Sequence, residues 1–327
     1  MKFKSILMKG LLLVTFATFF TACDEGEPRV TDDSITGVAS SSRDFDILVE
    51  ALNATGLAST LQGSGSFTVF APTDEAFVKF LRTTPYETIS EVPKSVLTQI
   101  LLNHVISGTI QSTSLTTGYV KTLAKNSVSG SNTMSMYVSI NTTPGVSLNE
   151  ITLNGVSKVE TANIIASNGV IHVVDKVINL PTIVTHATAN KNFSSLVGAL
   201  TSTGQPDFVS ILSGTNPYTV FAPTNTAFTN LNTELAPGGI AGVSSSNLTK
   251  VLQYHVLNGN LSANTLKEGL YPTLEKQNFT LSLSNGAKIT DVNKRTSNVT
   301  PLDVQCSNGV IHVLDKVLLP KLISSNN

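Results

Sequence analysis

A ten-residue stretch that occurs twice limits what this chain can fold into more than any other feature. Residues 168–177 read NGVIHVVDKV and residues 308–317 read NGVIHVLDKV, so nine of the ten positions are identical. An Asn-Gly pair is a strong signal for a type I′ hairpin turn, because both central residues of that turn have positive φ. The apolar residues after it would cover both faces of a strand, as in a buried strand. Each copy therefore predicts a β-hairpin at the centre of its own domain.

A second block also occurs twice and sets the length of the repeat. Residues 66–77 read SFTVFAPTDEAF and residues 217–228 read PYTVFAPTNTAF, 151 positions apart, whereas the copies of the first block are 140 positions apart. A repeat of this length is a complete domain rather than one unit of a solenoid. The difference of 11 residues predicts an insertion in the first domain, which we place at residues 126–145.

Each domain also has a histidine at the end of an apolar helical pattern between the two blocks, His104 in the first and His255 in the second. The two blocks and this histidine resemble the signature of the fasciclin-like domain family, and the resemblance covers residues 32–323. It implies an α+β fold with two tandem fasciclin-like domains. Each would be a β-rich wedge with helices packed on one side.

The resemblance also implies domain boundaries. We place the first fasciclin-like domain at residues 32–180, the second at residues 181–323 and a short tail at residues 324–327. No Gly/Ser-rich linker separates the two domains. Since a linker without slack restricts domain motion, we expect the domains to hold a limited range of relative orientations.

Local patterns predict several elements within the domains. Thr73 is the expected N-cap of a helix, because a threonine side chain can accept a hydrogen bond from a free N–H of the first turn. Alternation of apolar and polar residues over residues 134–140 predicts a strand. Apolar residues at helical spacing predict four helices, marked by Phe45, Leu48, Val49 and Leu52, by Leu97, Ile100 and Leu101, by Phe193, Leu196, Val197 and Leu200, and by Leu248, Val251 and Leu252.

Residues 1–23 resemble a bacterial lipoprotein signal peptide. Basic residues near the N-terminus precede an apolar run over residues 11–20, which is too short to cross a bilayer because a spanning helix needs about 20 residues. Phe-Thr-Ala-Cys then resembles a lipobox, which implies that Cys23 carries lipid. An ordinary secretory signal with an incidental cysteine is the alternative. Residues 24–31 are predicted to be a tether and begin with the acidic run DEGE. This run resembles the export tags that send some Gram-negative lipoproteins to the outer face of the outer membrane, and a merely solvated segment is the alternative.

A lipid-modified Cys23 would hold the chain stably on a membrane, because several acyl chains exceed what reversible binding needs. We therefore expect an outer-membrane lipoprotein exposed at the cell surface, with a periplasmic location as the alternative. Charged residues make up only 13% of the chain and the net charge is −1, so we expect no nucleic-acid partner.

The sequence contains none of the spacings that catalytic or metal chemistry needs, such as His-Glu-x-x-His, Cys-x-x-Cys or Gly-x-Ser-x-Gly. We expect no catalytic residue, no metal and no cofactor. The histidines of the repeated motifs, His104, His255, His172 and His312, are predicted to be structural core residues rather than ligands. Cys306 is matched by an alanine in the first domain, which favours a small buried residue rather than a nucleophile.

One stretch suggests a binding site. In animal members of the family, a segment of the type Glu-Pro-Asp-Ile-Met just before the Asn-Gly hairpin serves integrin-dependent adhesion. The matching residues 301–305 read PLDVQ, which predicts a contact at Asp303 and Val304. The alternative is a strand that simply leads into the hairpin. The first domain has Asn163 at the matching position, and the domains also differ at residues 205–216. We therefore expect the second domain to carry the main contact.

The resemblance implies a non-enzymatic, surface-anchored protein of cell adhesion or matrix interaction. Its expected partners are a surface or matrix protein or a polysaccharide, together with the membrane through the lipid anchor. Two alternatives stay open. One is a carrier of a small apolar ligand such as a carotenoid, and the other is an accessory subunit of an outer-membrane uptake system.

Overall fold

In each domain three helices precede the strand of the second repeated block and two follow it, and they pack on one side of a sheet. The computed structural model describes residues 32–126, 132–141 and 150–322, so the predicted signal, Cys23 and the tether lie outside the described residues. The helices of the first domain are α1 Ile35–Ser40, α2 Asp46–Thr55, α3 Ala58–Gln62, α4 Asp74–Leu81 and α5 Lys94–Asn103. Those of the second domain are α6 Ile183–Ala189, α7 Ser194–Leu200, α8 Phe208–Ser213, α9 Asn225–Glu234 and α10 Ser245–Tyr254.

The first domain contains a seven-stranded sheet with the order β2-β1-β7-β6-β5-β4-β3. Its strands are β1 Phe67–Pro72, β2 Val105–Ser107, β3 Gly118–Lys125, β4 Thr133–Asn141, β5 Glu150–Leu153, β6 Ser157–Ala166 and β7 Gly169–Val174. Strands β1 and β7, which carry the two repeated blocks, pair in parallel, while the other neighbours are antiparallel.

The second domain divides the corresponding strands between two four-stranded sheets, with the orders β14-β15-β8-β9 and β10-β11-β12-β13. The strands are β8 Tyr218–Pro223, β9 Val256–Asn258, β10 Gly269–Pro272, β11 Asn278–Ser282, β12 Lys288–Thr290, β13 Thr296–Asn298, β14 Val304–Cys306 and β15 Gly309–Leu314. Strands β8 and β15 again pair in parallel. The predicted α+β fold with two tandem β-rich domains is confirmed.

The local predictions for the helices and for residues 134–140 are confirmed. The four amphipathic patterns fall on α2, α5, α7 and α10, and the predicted strand lies within β4. Thr73 caps α4, and its Oγ1 accepts a hydrogen bond from the Ala76 backbone N–H at 3.2 Å. Thr224 caps α9 in the same way, with the Ala227 N–H at 3.3 Å. A threonine after the strand therefore starts the same helix in both domains.

The hairpins of the repeated motif form as predicted, but their turn is different. The two residues between β6 and β7 are Ser167 and Asn168, and Asn168 does not have positive φ. The type I′ prediction for Asn168 and Gly169 is therefore wrong. Two other Asn-Gly pairs do have positive φ at both positions: Asn154 (48°) and Gly155 (70°) between β5 and β6, and Asn285 (87°) and Gly286 (87°) between β11 and β12.

The side chain of Asn168 connects the hairpin to the helical layer. Its Oδ1 accepts from the Ile35 N–H at 2.9 Å, and its Nδ2 donates to the Leu61 carbonyl at 2.6 Å and to the Gly63 carbonyl at 3.0 Å. Asn308 makes the matching three bonds in the second domain, to Ile183, Leu212 and Gly214. The asparagine of the motif therefore connects the sheet to the helices through its side chain, rather than forming the predicted type I′ turn through its backbone.

The central strand β7 is buried on both faces, as its apolar sequence predicts. Ile171 lies in the core between the sheet and the helices, together with Phe77 and Leu97. Val174 lies in a second cluster on the other side of the sheet, with Phe70. In the part of the chain that the structure describes, no helix has both the length and the apolar character needed to cross a bilayer.

Candidate functional site

His104 and His255 end helices α5 and α10 and connect them to the chain after the hairpin. His104 Nδ1 donates to the Ile100 carbonyl at 2.7 Å, and its Nε2 accepts from the Ile178 N–H at 2.8 Å. The matching distances for His255 are 2.7 Å to Val251 and 2.9 Å to Leu318. Since one nitrogen donates and the other accepts, each ring is neutral. Burial lowers the pKa of both histidines to about 4.

His172 and His312 lie on the central strands and use the opposite tautomer. His172 Nε2 donates to the Ile110 carbonyl at 3.0 Å and Nδ1 accepts from the Asn163 N–H at 3.2 Å. His312 repeats these bonds, with Leu261 at 2.8 Å and Asp303 at 3.2 Å. Both side chains are fully buried, and burial lowers the pKa of both. All four motif histidines thus have both ring nitrogens occupied by the backbone, as a structural role requires.

Asp303 and Asn163 do the same structural work in their two domains. Both have left-handed backbone conformations, with φ of 63° and 65°, which asparagine and aspartate tolerate better than most residues. Each donates its N–H to the motif histidine, and each side-chain oxygen accepts a backbone N–H, from Ala263 at 2.7 Å and from Ser112 at 2.8 Å. Asp303 and Asn163 therefore make the same two hydrogen bonds to the backbone and to the motif histidine of their domains.

The predicted contact at Asp303 and Val304 does not form an exposed site. Val304 begins β14 and is only 1% exposed, within the core of the second domain. An external partner cannot reach this side chain, so we no longer treat Val304 as a binding residue. Asp303 is half-buried, and its carbonyl accepts from Lys121 Nζ of the first domain at 2.7 Å. A role of Asp303 in binding a partner stays a prediction.

Lys121 is one of several first-domain residues that contact the second domain through β3 and β4. Ser135 Oγ accepts from the Gln305 N–H at 3.0 Å and also lies 3.2 Å from Lys121 Nζ. The Asn126 side chain donates to the Cys306 carbonyl. Asn126 is also where the predicted insertion begins; residues 127–131 and 142–149 of that region lie outside the described residues. The two domains are therefore joined by buried hydrogen bonds as well as by a short connection.

An aromatic contact completes this interface. The Tyr119 ring packs against the core of the second domain, edge to face with His186 at a centroid distance of 5.3 Å, and its hydroxyl oxygen lies 3.3 Å from Asn190 Nδ2. His186 is fully buried, and neither ring nitrogen makes a hydrogen bond to the described residues, although the Ser135 backbone acts to raise its pKa. Burial is the dominant effect and lowers that pKa to about 3. The ring is therefore neutral and serves as an interface side chain.

The sequence patterns did not reveal this interface. Alternation along β4 would leave Ser135 and Tyr137 on an open face, but both are buried. The available signal was indirect: the insertion marks the one region that the first domain has and the second lacks. Serine is also common at exposed positions, so the residue type at position 135 does not predict that another domain covers it.

Replacing Ser135 with alanine is expected to weaken the domain interface. The Gln305 N–H would lose its acceptor in a buried site, which should lower the free energy of unfolding by about 1–3 kcal/mol. Ser139→Ala on the same strand is the matched control, because none of the described residues bonds its hydroxyl. Thermal unfolding followed by circular dichroism measures the difference. Equal stability of the two variants would contradict the assigned hydrogen bond.

A cleft of about 480 Å³ lies where the two domains meet. Most of its lining is apolar, and Asn154 contributes a buried amide whose Nδ2 has no hydrogen-bond partner among the described residues. Clefts of this size at domain junctions commonly bind ligands or peptide segments. Its main lining residues are Phe80, Val156, Val177, Leu180, Lys79, Lys176 and Asn154.

Within residues 32–126, 132–141 and 150–322 we find neither a reactive thiol nor a group of side chains that could bind a metal ion. Cys306 is fully buried, and burial raises the pKa of its thiol well above the usual range, so the reactive thiolate is disfavoured. No three His, Cys, Asp or Glu side chains of these residues are grouped so that they could hold a metal ion.

Several known proteins are similar to this chain in sequence. Protein sll1483 of Synechocystis sp. is 39% identical over 141 residues, which make up 43% of this chain and 74% of that protein. Human periostin is 31% identical over 292 residues, which make up 82% of this chain and 30% of periostin. The chain thus spans only about a third of periostin and of pig transforming growth factor-beta-induced protein ig-h3.

A solved structure of a FAS1 domain pair, from the insect cell adhesion molecule fasciclin I, shows the same fold. Its TM-score is 0.53 at 18% identity, covering 83% of this chain and 95% of that chain. The family model described as the fasciclin domain matches residues 43–181 and again residues 191–320. Because these two matches together cover well over half of the chain, the protein belongs to the fasciclin domain family.

Proposed function

We propose that the protein is a non-enzymatic adhesion or matrix-interaction module at the cell surface, which binds a surface or matrix protein or a polysaccharide. The observation that carries this proposal is the rigidly joined fasciclin domain pair. A pair held by buried hydrogen bonds presents one continuous surface to a partner, whereas two freely hinged domains would lose entropy on binding. The similarity to a domain pair from an insect cell adhesion molecule supports the same function.

The chemistry of the described residues also supports a binding role. All five histidines are buried, and four of them have both ring nitrogens in backbone hydrogen bonds. Groups held in this way cannot transfer protons to a substrate without breaking the core. The cleft at the domain junction, in contrast, is open to solvent and has a largely apolar lining with an unpartnered amide. We assign the partner contact to this cleft.

An adhesion assay tests the proposal. Cells that display the chain are compared with cells that display Val156→Lys, which places a charge at the edge of the cleft. Val96→Lys is the matched control, because Val156 and Val96 are similarly exposed, at 48% and 44%, and Val96 does not line the cleft. Adhesion to native matrix should fall only for Val156→Lys. Equal adhesion of all three would show that the cleft is not the contact site. No adhesion by the unchanged chain would overturn the proposed function.

The proposed lipid anchor is tested by Cys23→Ala. Without the thiol the chain cannot be acylated, so it should leave the membrane fraction and appear in the soluble fraction with the same circular dichroism spectrum. Protease added to whole cells reports whether the unchanged chain is exposed at the surface or lies in the periplasm. Flotation of the Cys23→Ala chain with membranes would contradict lipid anchoring.

The two alternative functions gain no support from the described residues. An apolar cavity beneath α6, α7 and α8 has a volume of about 40 Å³, whereas cavities for drug-sized ligands measure about 300–1,000 Å³. A carotenoid would not fit there. Co-purification with a transporter remains the test for an uptake subunit.

A further inference from the structure

We propose that the chain associates head to tail with further copies of itself, through surfaces that repeat the contact between its own two domains. This inference does not depend on the proposed adhesion function. It concerns two surfaces of the internal interface. The sheet face consists of Tyr119, Lys121, Ser135 and Tyr137 on β3 and β4. The hairpin face consists of His186, Asp303 and Gln305 on α6 and β14.

The duplication gives each domain a version of both faces. Inside the chain, the sheet face of the first domain meets the hairpin face of the second. The sheet face of the second domain and the hairpin face of the first domain are left over. The free sheet face of the second domain is formed by Leu270, Pro272, Asn278 and Thr280. The free hairpin face of the first domain is formed by Val38, Asn163 and Ile165. Leu270 and Pro272 follow from the offset of 151 residues, Asn163 and Ile165 from the offset of 140, and Val38 from its place in α1, which matches α6. Asn278 and Thr280 are identified as the strand partners of Pro272 and Leu270.

Strand pairing supports the assignment of the sheet face. Tyr119 pairs with Tyr137 in the first domain, and Leu270 pairs with Thr280 in the second. Lys121 pairs with Ser135, and Pro272 pairs with Asn278. The strand pairs β3–β4 and β10–β11 therefore have the same register at these residues. In the second domain all four of these residues are exposed.

The exposed apolar residues point to the same two surfaces. Leu270 is 68% exposed and Ile165 is 62% exposed, the highest values among the large apolar side chains of the described residues. Leu270 is the counterpart of Tyr119, which packs into the other domain, and Ile165 is the counterpart of Gln305, which is fully buried. The two most exposed apolar side chains therefore lie where an interface already exists in the other half of the molecule.

The two free faces are also chemically complementary. Within the chain, Tyr119 packs on the unpartnered ring of His186. Between copies, Leu270 would pack on Val38, the counterpart of His186, and against Ile165. This contact joins apolar groups and leaves no histidine nitrogen buried without a partner. Since the two faces are different, the contact is heterologous and builds a ring or an open chain of copies rather than a symmetric dimer.

The contact between copies lacks three hydrogen bonds of the internal one, the first being that between the Tyr119 hydroxyl and Asn190, because Leu270 has no hydroxyl. Proline at position 272 replaces Lys121, which donates to the Asp303 carbonyl. Asn126 belongs to the insertion and has no counterpart in the second domain. The association is therefore weaker than the domain interface and depends on protein concentration. This dependence makes it measurable with purified protein.

Sedimentation velocity of the secreted chain carrying Cys23→Ala, which has no lipid, tests the proposal. Its mean sedimentation coefficient should rise with concentration, and Ile165→Lys or Leu270→Lys should each abolish the rise. Val96→Lys is the control with an exposed valine outside both faces. Circular dichroism confirms that each variant is folded, since both positions are exposed and tolerate a charge.

A mixture of the two variants distinguishes this arrangement from other modes of association. The Ile165→Lys chain keeps its free sheet face and the Leu270→Lys chain keeps its free hairpin face, so the mixture should form dimers and nothing larger. An unchanged chain that stays monomeric at every concentration would overturn the proposal. So would association of either variant alone, or a mixture of folded variants that does not pair.

Discussion

Replacing Gly169 or Gly309 with alanine unfolds the domain that contains it. A Cβ at Gly169 would lie 2.0 Å from the Phe67 carbonyl oxygen, and one at Gly309 would lie 2.0 Å from the Tyr218 carbonyl oxygen. These oxygens belong to the strands that pair in parallel with the motif strand, so they cannot move without opening the centre of the sheet. We expect a loss of more than about 4 kcal/mol, beyond the usual effect of a point mutation and a large part of a domain's stability.

Gly118→Ala is the matched control for this prediction. Gly118 has φ of 158°, close to the 156° of Gly169, but a Cβ there would meet nothing within 4 Å. The comparison therefore separates the steric contact from the backbone conformation. Urea unfolding followed by circular dichroism gives the two free energies. Similar losses for Gly118→Ala and Gly169→Ala would show that the close approach of the strands is not the cause.

Lowering the pH from 7 to 4 is expected to destabilise both domains through His104 and His255. Burial lowers the pKa of each from its ordinary 6.5 to about 4, so between these values the unfolded state binds protons that the folded state does not. Their stabilising contribution is therefore complete above pH 6.5 and is lost as the pH falls towards 4. The difference corresponds to about 3 kcal/mol for each histidine.

The pH dependence can be assigned with the double variant His104→Gln and His255→Gln. Glutamine can accept the Ile178 or Leu318 N–H but does not titrate in this range. The variant should be less stable at pH 7 by about 1–3 kcal/mol for each lost hydrogen bond to the helix carbonyls. Its stability should then change less between pH 6.5 and 4 than that of the unchanged chain. An equally steep decrease in both proteins would mean that carboxylates, or the other buried histidines His172, His186 and His312, dominate the acid response.

The two domains have the same histidine and asparagine bridges but differ in what their surfaces contact. The first domain has the inserted region and uses β3 and β4 to hold the second domain. The second domain has a shorter connection at this point, and the corresponding surface stays exposed around Leu270. A duplicated fold has thus become a directed pair in which each domain uses a different face. This asymmetry supports our expectation that the domains are not interchangeable, and the adhesion assay tests it.

The sequence alone determined the features that depend on neighbouring residues. The repeated blocks predicted two domains. The apolar run after each Asn-Gly pair predicted a buried strand, because burial on both faces requires a continuous apolar run. Thr73 predicted a helix start, since its side chain caps an N–H only three residues away. Apolar residues at helical spacing predicted α2, α5, α7 and α10, because one face of each must be buried.

Only the tertiary structure decided the features that depend on contacts between distant parts of the chain. Asn168 was predicted to shape a turn, but its side chain bridges to residues more than a hundred positions away, and no local pattern shows such a bond. Val304 was predicted to contact a partner, but its side chain fills the core. Asp303, whose role in binding stays a prediction, also holds the backbone around His312. Ser135 is buried because a second domain covers it. The physical reason is common to all three: a polar side chain is compatible with water, a backbone amide or another domain, and only the folded arrangement selects the partner.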